Sequence, residues 1–432
     1  MSVFFFILSI LIILKYSKNN LSKYFLLFFS IINSILILLA SSLSIYYDMP
    51  IWHSVYFSLL ILSFIIGYLT IKPKYRTNEA DTIINFPELI KPYKKLFSIV
   101  GLIVLLILVF YLYKYKVLED KYGVISARNI KFTLGFLFKT PLEYAFFRYI
   151  IEPIVTIITI FFSLMILSKQ YKSILFYQCI LCIFLYSEIG KGRFIYFDII
   201  VYLFILILFL YEKNLLLFLK KNIKLLIISA MVVIILLLIM TLSRMGSDLG
   251  NTDSITNGIF NTFKQVILYF SGPYKMFSEA INLNYRNLIN NHGILFPIFG
   301  GLDELIKLFF NFIGFEFVTT NTIISNFTNV PISIGNNLAM NAFYTGFFNF
   351  YLTGGIIGSI FISFIFGMIV SFLHNRMNLN NLFQIMLVAL LTYSATLIML
   401  RWELQSAAYM CTLLYLIICQ LFKKKINLKE LK

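Results

Sequence analysis

The stretch SEIGKGRFIYFD, residues 187–198, sets Lys191 and Arg193 in a short connection between two apolar runs. Three more arginines, Arg148, Arg244 and Arg401, stand at the ends of other apolar runs, and Arg286 lies in the longest stretch between runs. A guanidinium presents a planar fork of N–H donors that matches phosphate oxygens, and an ammonium adds a point charge. Gathered at one level of a structure, such cations are suited to holding an anion. They would also stabilise negative charge that develops during a reaction. A local role stands beside this one. Arg148 and Glu152 are four apart, on one face if the segment is helical, and can neutralise each other. Glu403 is close to Arg401, and Glu188 stands across the turn from Arg193. Long cationic side chains also reach lipid headgroups at little cost. Arg193 and Arg244 flank different runs, which favours a ligand for them over a local pair.

Other chemistry is sparse. The three histidines, His53, His292 and His374, are far apart and have no metal-ligand spacing. There is no phosphate-binding glycine loop of the Walker type, no dinucleotide fingerprint, no nucleophile elbow and no zinc-protease helix. Cys179 and Cys182 are formally C-x-x-C, but they lie within an apolar run with no companion ligands and read as small packing residues, as do Cys411 and Cys419. No metal or cofactor is expected.

The elements that would position these residues follow from composition. The chain has 432 residues, of which 60% are hydrophobic, 18% aromatic and 13% charged. A soluble domain has about 25% charged residues. Many stretches run for about 18 or more residues with almost no charge, enough to cross a hydrocarbon core of roughly 30 Å. They lack the alternation of a membrane β-barrel. The expectation is an all-α polytopic membrane protein with about eleven transmembrane helices. The candidate spans are 2–15, 24–46, 51–71, 96–113, 145–167, 171–188, 194–211, 223–242, 347–373, 382–400 and 406–421. The first is expected to be a retained span rather than a removed signal peptide, because no cationic stretch precedes it and no small-residue cleavage site follows it. The division is then 1–242 for spans one to eight, 243–346 for a large loop, 347–421 for the last three spans and 422–432 for a basic tail.

The net charge of +17 would suggest nucleic acid in a soluble protein; here it sets topology, and no nucleic-acid partner is expected. With FKKKINLKELK in the cytoplasm, most of the 36 lysines and arginines fall on that side in short loops. The N-terminus and segment 243–346 are then outside. Trp52 and Trp402 fall at outer interfaces, where indole rings are favoured. Lys191, Arg193, Arg244, Arg148 and Arg401 all fall at the outer ends of spans, against the charge trend. An anionic ligand at the outer leaflet would account for them.

Within the outer segment, Ile255, Ile259, Phe263, Val266, Ile267 and Phe270 recur at helical steps and predict an amphipathic helix. It would lie on the membrane or cover the bundle, and SGP at 271–273 would end it. A second helix is expected from near Leu302, with Leu302, Leu305, Ile306, Phe309 and Phe310 on one side. Tyr274, Tyr285 and Tyr344 are candidate stacking surfaces for sugar rings, with core packing as the plainer alternative.

Three stretches together resemble the O-antigen and capsular polysaccharide polymerases of the Wzy type: GKGRFIYFDII at 190–200; TLSRMGSDL at 241–249 with YFSGPYKMF at 269–277; and AFYTGFFNFYLTGGIIGSIFISFIFGMIVSFLHNR at 342–376. The layout is similar over nearly the whole chain, although YLTGG carries no carboxylate before its glycines, where family members often have one. The resemblance implies a GT-C-like helical enzyme of the bacterial inner membrane with its active site facing the periplasm. Such a glycosyltransferase joins oligosaccharide repeat units carried on undecaprenyl diphosphate, without nucleotide sugar or metal. It implies Arg193 and Arg244 as primary diphosphate ligands, supported by Lys191 and Arg148, with Arg286 or Arg401 for the second lipid diphosphate. For the acceptor hydroxyl a general base would come from His292, Asp303, Glu304 or Glu316. Gly354 and Gly355 would allow close helix packing. The resemblance leaves room for a chain-length-regulating membrane protein as partner, beside membrane lipids. An O-antigen ligase acting on lipid A-core shares the layout, and a lipid-linked oligosaccharide flippase is the more distant alternative.

Overall fold

The computed structural model describes residues 2–17, 19–72, 86–189, 192, 194–211, 252–290, 297–315, 318–336, 338–340 and 344–430, with isolated positions between 215 and 231. Apart from one two-stranded hairpin, the named elements are helical. Among the described residues, six helices are long and apolar enough to cross a membrane. They are α2 (Asn20–Ser42), α3 (Ile51–Thr70), α4 (Lys94–Tyr122, whose apolar helical stretch begins at Glu88), α5 (Pro141–Leu167), α12 (Gly346–Arg376) and α13 (Leu382–Thr396, continued to Met399). Four shorter apolar helices are α1 (Ser2–Tyr16), α6 (Ile174–Glu188), α7 (Phe194–Leu210) and the apolar part, to Phe422, of α14 (Ala407–Glu430). The chain is an all-α, multi-pass membrane protein. Apart from Ile223 and Met231, candidate span 223–242 lies outside the described residues. Between α7 and α12 stand α8 (Thr252–Asn282), α9 (Tyr285–Asn290), α10 (Gly300–Phe312), α11 (Thr320–Thr328) and the hairpin β1 (Ile332–Gly335) and β2 (Leu338–Met340).

The chain divides into two compact units. The first comprises Met1–Arg76, Gln265–Met377 and Leu391–Met410. Its axis is the pair α3 and α12, which run parallel with backbones in contact. A Cβ at Gly67 would lie 2.0 Å from Phe364 O, and one at Gly367 would lie 2.1 Å from Phe64 O. Serines repeat this reciprocity: Ser63 Oγ donates to Ile360 O and Ser363 Oγ to Leu60 O, each at 2.7 Å. Hydrocarbon gives helices no hydrophobic reason to associate, so small residues and short hydroxyl bonds hold such a seam. The glycines that let α3 and α12 touch are thus Gly67 and Gly367. Gly355 faces the Arg286 side chain instead, as described below. Toward the C-terminal ends of α3 and α12, Tyr68 Oη bonds His374 Nδ1 at 2.7 Å and His374 Nε2 bonds Thr392 Oγ1 at 2.7 Å, so His374 is a satisfied structural residue.

SGP does not end the helix at 271–273; α8 continues through Pro273 to Asn282. An interior proline removes one helical hydrogen bond and crowds the preceding turn. The offset here is burial. Met276, Phe277 and Ala280 are fully buried, and Phe277 stacks on Phe57 of α3 with centroids 4.8 Å apart. Three polar ties fix this half of α8: Ser271 to Tyr46 (2.8 Å), Tyr274 to Asn33 (2.6 Å) and Ser278 to His53 (2.6 Å). Part of segment 243–346 therefore packs among the helices of its own unit.

The second unit comprises Thr77–Lys264, Asn378–Leu390 and Cys411–Lys432. Phe97 and Phe161 stack there at 3.9 Å, joining α4 to α5. Cys182 Sγ reaches Gly101 O at 3.4 Å across α4 and α6. All four cysteines are free thiols, and Cys179, Cys182 and Cys411 are buried. Ahead of Pro153, α5 opens into one wide π-turn, Phe147–Ile151. Proline cannot donate to the preceding turn, and such a turn redistributes the bonds around it.

Candidate functional site

The cations singled out in the sequence fall into three groups. Lys191, Arg193 and Arg244 lie outside the described residues, as do His292 and Glu316.

The second group is paired. Arg148 Nη1 and Glu152 Oε2 are 2.5 Å apart in the second unit, at the i, i+4 spacing legible in the sequence. Glu152 is 5% exposed and also accepts from Tyr186 Oη at 3.2 Å. Arg401 Nε donates to Glu403 Oε1 at 2.6 Å in the first unit, although the two are only two residues apart. They can meet because Trp402 is extended and Glu403–Gln405 turn as a 3₁₀ helix, which brings the side chains to the same side. Both cations are thereby committed to carboxylates that burial would otherwise leave uncompensated. Lys275, which sequence reasoning did not single out, belongs here too. It is fully buried, lies 2.7 Å from Glu279 Oε1 and donates to Asp48 O at 3.2 Å. The spacing of Lys275 and Glu279 was the available signal; their burial had none.

Arg286 forms the third group. It stands in the first turn of α9, after Asn284, whose φ of 54° turns the chain out of α8. Its guanidinium lies against Gly355 of α12. A Cβ there would be 2.6 Å from Arg286 Nη1 and 2.9 Å from Cζ. Gly355 has φ 65° and ψ −161°, a conformation open to glycine and closed to most side chains, and it breaks α12 into two helical pieces. Gly355 thus makes a kink without a side chain, against which the guanidinium rests. Arg286 makes no ion pair among the described residues, and its Nε is buried without a hydrogen-bond partner. A buried N–H on a charged group without an acceptor is costly, and an arriving anion would relieve that cost.

The surroundings add donors. Tyr351, one turn before Gly355, is close enough to interact with the Arg286 charge. The rings of Tyr285 and Tyr344 are 6.5 Å apart, and Tyr344 stacks on Phe348 at 4.5 Å. Burial raises both phenols above their usual range, so each is a neutral donor at pH 7. The Tyr285 and Tyr344 hydroxyls interact with each other, and the adjacent Thr345 Oγ1 is buried without a hydrogen-bond partner among the described residues. The cation and its glycine floor come from Arg286 and Gly355, with Tyr351 nearby. The local chemistry fits an oxyanion with several acceptor oxygens.

The remaining sequence candidates are placed as follows. Tyr274 is fully buried with its hydroxyl on Asn33 Oδ1, a packing residue with no ring face open to a sugar. Asp303 Oδ2 accepts from Thr320 N at 3.4 Å and from Thr320 Oγ1 in a short bond. Glu304 Oε1 accepts from Asn321 Nδ2 at 2.7 Å. Both carboxylates join α10 to α11. No group of three or more His, Cys, Asp or Glu among the described residues could hold a metal ion.

Comparison with protein-family models, with curated proteins and with solved structures finds no match.

Proposed function

We propose that the protein is a glycosyltransferase that polymerises oligosaccharide repeat units carried on undecaprenyl diphosphate. It would be an O-antigen polymerase of the Wzy type, with about eleven spans, a GT-C-like helical fold and a site on the periplasmic face of the bacterial inner membrane. The observation that carries this reading is Arg286. It is a cation lodged on a glycine kink, with no carboxylate partner among the described residues and with its Nε buried and unsatisfied.

In the reaction, the bond between the anomeric carbon of the growing chain and its diphosphate oxygen breaks. A new bond forms from that carbon to a hydroxyl of the incoming unit. The hydroxyl proton passes to a base, and the electron pair of the broken bond stays on the lipid diphosphate. Negative charge therefore grows on the leaving group. A guanidinium fork supplies two parallel donors to it, and removing one such donor typically costs about 10²–10³ in rate. Lys191, Arg193 and Arg244 are proposed as further diphosphate ligands from the sequence resemblance, and His292 as a candidate base.

The test is the lipopolysaccharide ladder of a deletion strain beside its complemented parent. A single rung above the core is expected: export and ligation proceed, but polymerisation is lost. Absence of every rung, with lipid-linked polymer accumulating, would instead identify a ligase. An unchanged ladder would reject both.

A further inference from the structure

We infer that α10 is a membrane-surface element: its exposed apolar stripe is seated in the lipid headgroup and acyl boundary, independently of the chemistry proposed above. The helix is anchored at the level where two apolar helices begin. Just before it, Pro297 O accepts from Asn349 Nδ2 at 2.9 Å, in the first turn of α12. Ile298 O accepts from Trp402 Nε1 at 2.5 Å. A Cβ at Gly301 would lie 2.5 Å from Ser406 O, the residue preceding α14. Asn321 Nδ2 bonds both Glu304 and Gln405 O, the latter at 2.6 Å. The start of an apolar helix marks the passage from polar to hydrocarbon surroundings, so α10 is held at that boundary.

The two faces of α10 differ accordingly. Asp303, Glu304, Lys307 and Asn311 share one side, and the two carboxylates are turned onto α11. Leu302, Ile306, Phe309 and Ile313 follow at steps of three and four and form an exposed stripe; Phe309 is 65% exposed. The helix ends in a Schellman turn at Gly314 (φ 85°), where Phe315 N bonds Phe310 O at 3.0 Å and Gly314 N bonds Asn311 O at 3.2 Å. That turn sets Phe315, itself 66% exposed, edge-on to Phe310 at 6.3 Å and lengthens the stripe. An amphipathic helix at such a boundary buries its apolar face about 5–10 Å deep. Lys307 is the one cation on the helix, so apolar area rather than charge would hold it to lipid.

The experiment uses the full chain in phospholipid vesicles, with a bimane label on Phe309→Cys or Asn311→Cys and the unmodified chain as labelling background. Phospholipid carrying a nitroxide at carbon 5 of the acyl chain should quench the label at 309 at least threefold more than at 311. Aqueous iodide should show the reverse order. Equal iodide quenching at both positions would place the stripe in water and overturn the inference. So would a lack of response to both quenchers together with oxidative cross-linking at 309, which would show a second copy on the stripe. If Phe309→Cys does not insert, Ile306→Cys reads the same stripe.

Discussion

Arg148 and Arg286 both adjoin apolar helices, and their surroundings are opposite. Arg148 stands inside a long helix with Glu152 one turn away and Tyr186 supporting that carboxylate. Arg286 starts a short helix and rests on the kink at Gly355, with Nε unsatisfied. The first arrangement is closed. The charge is neutralised locally, and any ligand would have to displace a partner that is itself buried. The second is open in the chemical sense: the cation is positioned by shape and left without a counter-charge among the described residues. A cation at a span end is therefore weak evidence for binding until its partner is known.

The largest effect expected from this contrast is on polymer. Arg286→Ala should remove it, with a rate loss on the order of 10²-fold or more. Arg286→Lys should recover only part, because an ammonium lacks the planar fork. The readout is the lipopolysaccharide ladder at matched protein level; normal polymer from Arg286→Ala would end the proposed site. Gly355→Ala should behave like Arg286→Ala, since the new methyl would meet the guanidinium and the residue would be held at positive φ. A normal ladder from that variant would show that the kink does not position the arginine.

The closed pair should respond in stability instead. Glu152→Gln leaves a half-buried guanidinium uncompensated and should lower unfolding stability by about 2–3 kcal/mol, below the 3–5 kcal/mol of a fully buried pair because Arg148 remains partly exposed. Thermal unfolding in detergent measures this, and Arg148→Met in the same chain should restore much of it. If Glu152→Gln instead removed polymer at unchanged stability, Arg148 would belong with Arg286. Tyr274→Phe leaves Asn33 Oδ1 without its donor and should cost about 1–2 kcal/mol while the ladder keeps its length. A shortened ladder at unchanged stability would return Tyr274 to the sugar site. The smallest effect is expected from Tyr186→Phe, about 1 kcal/mol, because Arg148 still holds Glu152.

Much of the fold could be read along the chain, because membrane helices are local objects. Long uncharged runs must satisfy their own backbone, and helices follow wherever such runs occur. The start of α10 near Leu302 and the pair Arg148–Glu152 were legible for the same reason, since both depend on spacing within one helix. The end of α8 was misplaced at SGP. The local preference of proline against a helix interior was outweighed by burial of Tyr274, Met276 and Phe277, which only contacts with α2 and α3 reveal. The glycines were legible in part. YLTGG looks like a close-packing motif, and Gly355 does admit a close approach, but what approaches is the Arg286 guanidinium, while the backbones of α3 and α12 meet at Gly67 and Gly367.

By itself, the sequence determined that this is an all-helical, multi-pass membrane protein, because hydrophobic run length and charge placement are properties of the chain. It also supplied the list of cations. Which cation stays without a carboxylate among the described residues was a tertiary decision. It depends on the turn at Asn284, the kink at Gly355 and the approach of Arg286 to a helix that begins some sixty residues later. No spacing rule joins positions so far apart, because their proximity comes from how helices pack and not from the period of any one of them.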